Sequence, residues 1–111
     1  MMMFRFAAAA LGLVASAACC WAGPSFDCHT NTSLTEQVIC ANEDIAELDQ
    51  QMAQLYFQVA NDTTGRYYRR LKGDQRAWLS ERSGCGANVR CLRSTYRARI
   101  DELERELRNG D

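Results

Sequence analysis

The chain has few of the residues that interrupt regular structure, and few of those that carry out chemistry. Pro24 is its only proline and His29 its only histidine, and both lie in one irregular stretch, GPSFDCHTNT. An isolated histidine in such a stretch makes a poor general base, so His29 is read as incidental. There is no glycine-rich phosphate loop, no H-E-x-x-H and no G-x-S-x-G. Those absences remove the sequence grounds for P-loop, zinc-protease and α/β-hydrolase chemistry. No C-x-x-C pair occurs either, so the cysteines do not spell a zinc site, and no metal or cofactor is expected. The acidic doublets Glu43-Asp44 and Asp101-Glu102 fall on helix surfaces rather than in a tuned acid and base pair. The protein is not expected to be an enzyme.

Strand signals are missing as well. No stretch of useful length alternates apolar and polar residues, so an all-α protein is predicted. The one long uncharged run, AAAALGLVASAACCWA, follows Arg5 and is too short to span a bilayer comfortably. It reads as a signal peptide over residues 1–22, cleaved after Ala22, with a single helical domain over residues 23–111. The competing processing site is acylation at Cys19, the only route by which a membrane association enters. Cleavage after Ala22 leaves Cys28, Cys40, Cys85 and Cys91, which pair in an oxidising compartment. Three connectivities are open. The local one, Cys28 with Cys40 and Cys85 with Cys91, is favoured because each pair brackets one turn. The expected location is periplasmic or secreted.

What is present is helical periodicity. Ser33 or Thr35 caps a short helix carrying Val38 and Ile39, and Asn42 caps a second from about Glu43 to Ala60. In the second helix Ile45, Leu48, Met52, Leu55 and Val59 recur at steps of three and four, with Asp49 beside them. Asn61 to Gly65 is a turn. A third helix, about Arg66 to Arg82, places Tyr68, Leu71, Gln75, Trp78 and Arg82 inward. Asn88 caps a fourth, reaching about Arg108, with Val89, Leu92, Tyr96, Ile100, Leu103 and Leu107 inward. The predicted fold is a small antiparallel bundle of three main helices plus a short N-terminal helix, stapled by two disulfides.

Charge is nearly balanced overall but unevenly spread. Asp27 to Asp62 contains acidic residues and no Lys or Arg, whereas Arg66 to Arg99 is rich in arginine and has only Asp74 and Glu81 as acids. The halves should attract through complementary rims. Export and the acidic half together argue against nucleic acid as a ligand. Asp49, Gln75, Trp78, Arg82, Tyr96 and Arg99 are expected to form an internal polar network, since a buried charge is tolerated only when paired.

Taken together, Cys28, Glu36-x-x-Ile39-Cys40, Leu48-Asp49, Tyr56, Gln75-x-x-Trp78-Leu79-x-x-Arg82-x-x-Cys85, Cys91-Leu92, Tyr96 and Arg99-Ile100 resemble the LprI-type lysozyme inhibitor family, in its N-terminal domain. The resemblance covers about residues 26 to 103 and implies an exported or envelope-attached helical domain with lysozyme as its partner. On that footing two surfaces are candidates. The loop before the fourth helix presents Asn88 and Arg90 to the carboxylates of a muramidase cleft. The acidic Glu43, Asp44 and Glu47 meet a cationic enzyme surface. A module that binds another envelope protein is the alternative.

Overall fold

The computed structural model describes residues 23–30 and 32–110. The expected leader, its cleavage site and Cys19 lie outside the described residues. Four helices and no strand are found in the described part: α1 (Leu34–Ala41), α2 (Glu43–Asp62), α3 (Gly65–Gly84) and α4 (Val89–Asn109). Disulfides join Cys28 to Cys40 and Cys85 to Cys91, the local connectivity.

Two of the four helices, α1 and α4, start where a side chain accepts from their first unpaired N–H groups. Ser33 Oγ accepts from the Glu36 N–H while the Glu36 carboxylate accepts from the Ser33 N–H, a complete capping box. Asn88 Oδ1 accepts from the Cys91 N–H at the start of α4. Asn42 departs from expectation. Its side chain makes no cap to α2 and instead donates to the Val38 carbonyl at 2.7 Å. With one residue closing α1 and opening α2, its amide is used on the last carbonyls of α1. Thr35, the other candidate cap, lies inside α1 and is buried.

The three long helices run up, down and up. Successive helices are antiparallel, so α2 and α4 are parallel: Asp44 meets Arg93 near their starts, and Asp49 meets Tyr96 further along both. That non-sequential pair has the most extensive contact, and α3 packs chiefly on α4. Short connections would by themselves favour the α2–α3 hairpin. The inward face of α3 carries Gln75, Trp78 and Arg82, whose bulk and polar ends hold α3 off α2 and turn it toward the α4 backbone, where Trp78 Nε1 donates to the Thr95 carbonyl.

The core is built from Ile39, Ile45, Met52, Val59, Leu71, Trp78, Leu92, Tyr96, Ile100 and Leu103. Burying a side chain such as Leu92 or Leu103 fully stabilises by roughly 1.5–3 kcal/mol. One inward assignment fails. Tyr68 is exposed, because the first turn of α3 extends past the shared core, where Tyr67 and Phe57 are exposed too.

α1 is fastened at both of its ends. Cys40 ties it to the N-terminal segment, and Thr35 Oγ1 donates to the Gly86 carbonyl at 3.0 Å, holding the turn between α3 and α4. Gly86 sits at φ 58°, a left-handed conformation that a side chain would strain.

Opening either disulfide removes roughly 2–3 kcal/mol of ring-closure stabilisation. Replacing Cys28 and Cys40 by Ser is expected to cost more than replacing Cys85 and Cys91. It also frees the segment that places Ser25 and Phe26 on the core. Urea midpoints of the two double variants test this order.

Candidate functional site

Asp49 stands at the centre of the polar arrangement and is fully buried. Its Oδ1 accepts from the Tyr96 hydroxyl at 2.7 Å, and the same hydroxyl accepts from Arg82 Nη1 at 3.2 Å. Arg82 Nη1 lies 3.7 Å from Asp49 Oδ1, so the phenol bridges an ion pair between α2 and α3 from its place on α4. Asp49 Oδ2 accepts from the backbone N–H of Ser25 at 2.6 Å. The guanidinium of Arg82 stacks 5.5 Å from the Phe26 ring centroid and 6.0 Å from that of Trp78. Trp78 meets Tyr96 edge to face at 5.0 Å.

A second group lies further along the bundle. Gln75 Oε1 accepts two bonds from Arg99, from Nε at 3.1 Å and Nη2 at 3.0 Å, and Gln75 Nε2 points to Met52 Sδ at 3.3 Å. Arg99 also pairs with Glu102 at 3.1 Å. All six residues expected to form the network are thus engaged, but in two groups: Asp49, Tyr96, Arg82 and Trp78 in one, Gln75 and Arg99 in the other. No hydrogen bond joins the groups among the described residues. Each links different helices, which fixes their register.

The expected surface residues occupy one end of the molecule. Asn88 and Arg90 are exposed at the start of α4, and Glu43 and Glu47 are exposed at the start of α2. Because α2 and α4 are parallel, the two surfaces read as separate in the sequence come together. Asp44 joins them by accepting from Arg93 Nε and Nη2 at 3.0 and 2.7 Å. That hydrogen bond holds the Asp44 carboxyl below its usual range. Asp44 is therefore spoken for, while Glu43, Glu47 and Arg90 form no ion pair among the described residues.

Sequence reasoning missed two elements. Ser25 and Phe26 seal the buried pair from a segment with no periodicity to reveal it. Their one available signal was Cys28, which brings the segment onto α1. The other is the opposite end of the bundle, where Phe57, Tyr67 and Tyr68 are exposed together. Among the described residues no group of His, Cys, Asp and Glu side chains is arranged to hold a metal ion.

Fold and site define a class: a small disulfide-stapled, all-helical protein assembled around a bridged internal ion pair. Within that class the chain belongs to the LprI family, whose model, described as lysozyme inhibitor LprI, matches residues 28–103. Comparison with curated proteins and with solved structures finds no match.

Truncating Asp49 to Ala leaves Arg82 buried without its carboxylate and is expected to cost about 3–5 kcal/mol, measured by denaturant unfolding. Tyr96 gives a pH signature. Burial first, and then the charge of Asp49, push its phenol well above the ordinary tyrosine range. An unfolded tyrosine loses its proton near pH ~10. Above that pH the folded chain binds more protons than the unfolded one, so stability falls as pH rises. Tyr96→Phe should be less stable than wild type at neutral pH and should lose less of its remaining stability between pH ~9 and ~11.

Proposed function

We infer that the protein is an exported, non-catalytic inhibitor that binds a lysozyme and blocks it, acting through a single helical domain that follows a cleaved leader at residues 1–22. The observation that carries this reading is membership of the lysozyme inhibitor LprI family over residues 28–103. Two disulfides in so small a domain fit an oxidising compartment such as the periplasm or the exterior. Among the described residues no helix is long and apolar enough to cross a membrane.

The end that gathers Arg90, Asn88, Glu43 and Glu47 is the surface we assign to the enzyme. Inhibition requires a feature that enters the cleft and a field that brings the partners together. Arg90 lies next to Cys91, and the turn before it is closed by Cys85–Cys91 and held by Thr35, so little chain entropy is lost when it docks. Its guanidinium suits the carboxylates that glycoside hydrolysis requires. Glu43 and Glu47, on the neighbouring face, attract a cationic enzyme surface and raise the association rate in a salt-dependent way.

Purified, oxidised protein in excess should slow lysozyme clearance of a cell-wall suspension. An unchanged rate ends the inhibitor reading and favours an envelope protein as partner. Arg90→Ala should weaken inhibition by about fivefold or more, the loss typical of a residue central to an interface. Undiminished potency removes this loop from the contact.

A further inference from the structure

The end of the bundle opposite Arg90 is built differently and is not used by the inhibitor reading. There α2 finishes, α3 begins, and Phe57 and Tyr67 are 62% and 65% exposed beside the exposed Tyr68. Three large rings left in water within about a dozen residues contrast with an otherwise well-covered core. Tyr56, Phe57 and Tyr68 line a shallow, open hollow of about 450 Å³ together with Asn61, Thr63 and Thr64. Tyr56 and Phe57 stand edge to face at 5.6 Å, so their planes line the hollow at different angles. The side chains of Asn61 and Thr64 make no hydrogen bond among the described residues and remain available to a ligand.

Charge around the hollow is mostly positive, with Asp62, between Asn61 and Thr63, the one acid in the segment from Phe57 to Lys72. Lys72 Nζ lies 4.7 Å from the Tyr68 centroid and Arg66 Cζ 5.5 Å from that of Tyr67. Arg66, Arg69 and Lys72 have no carboxylate partner among the described residues, and the first turn of α3 contains no acid. Cations at a helix N-terminus oppose the macrodipole, so helix stability does not account for this placement.

We propose that this aromatic and cationic end binds a carboxylate-bearing polysaccharide. Flat rings cover the C–H faces of sugar rings, the free amide and hydroxyl groups pair with sugar hydroxyls, and Lys72, Arg66 and Arg69 meet the carboxylates. A bilayer is the poorer match, because only Phe57 among the rings is wholly apolar and the Asn61 and Thr64 side chains beside them make no hydrogen bond among the described residues. An acidic peptide would engage the cations without using the hollow.

The test is binding of the oxidised protein to alginate, with neutral dextran, polyglutamate and phosphatidylglycerol vesicles alongside. Alginate should bind, more weakly as salt rises, and should exceed the other three. Phe57→Ala and Tyr68→Ala should each weaken alginate binding by about fivefold or more, and Lys72→Gln should weaken it and flatten its salt dependence. These side chains are exposed, so helical content and thermal midpoint should stay at wild-type values. Arg90→Ala should leave alginate binding unchanged whatever its effect on lysozyme, which separates the two surfaces. Failure to bind alginate, equal binding to polyglutamate or to vesicles, or indifference to both ring substitutions overturns the proposal.

Discussion

The structure depends on one carboxylate. Asp49 is buried on α2, with its two oxygens accepting from Tyr96 on α4 and from the backbone of Ser25, while Arg82 on α3 reaches it through the same phenol. Three helices and the N-terminal segment therefore meet at a single side chain. Removing a carboxylate from water costs several kcal/mol, and that cost is offset only when the surrounding donors all arrive in place. An assembly with α3 shifted by one turn would leave Asp49 or Arg82 unpaired in the interior. Specificity of register, more than net stability, is what such a pair supplies.

This centre also explains the closest helix pairing. Chain connectivity favours neighbours in sequence, yet α2 and α4 pack together most extensively. Tyr96 has to reach Asp49, and Trp78 occupies the ground between α3 and α4, with its ring against Tyr96 and its indole N–H on the Thr95 carbonyl. The second polar group, Gln75 with Arg99, repeats the linkage lower down with neutral and charged groups combined. The disulfides act at the periphery of this arrangement. Cys28–Cys40 carries Ser25 and Phe26 to the buried pair, and Cys85–Cys91 closes the turn that Thr35 clamps.

Features governed by a few neighbouring residues were legible in the sequence. The Asn88 cap and the apolar seam from Ile45 to Val59 follow from spacing, Ser33 was one of two candidate caps for α1, and the local disulfides were favoured among three connectivities because each pair brackets one turn. Gln75, Trp78 and Arg82 were recognisable as an inward polar face because their period is helical while their chemistry is not that of plain core. Features that depend on where helices stop overlapping were not legible. Tyr68 continues the inward period of Leu71 and Gln75, yet it lies beyond the core that α2 and α4 provide. The convergence of Arg90 with Glu43 and Glu47 was hidden for the same reason, since it requires knowing that α2 packs directly on α4 with Asp44 level with Arg93. Thr35 looked like a cap, and only the packing of α1 on the turn at Gly86 gives it its actual partner. The result is a bundle with two unlike ends, a mixed-charge end at Arg90 and an aromatic, mostly cationic end at Tyr68.

The claim that the bridged pair organises the bundle is tested most directly by a double-mutant cycle on Asp49→Asn and Arg82→Leu, read by denaturant unfolding. A coupling of roughly 1–3 kcal/mol is expected, within the range found for residues sharing one network. Additive losses, with coupling near zero, would contradict it.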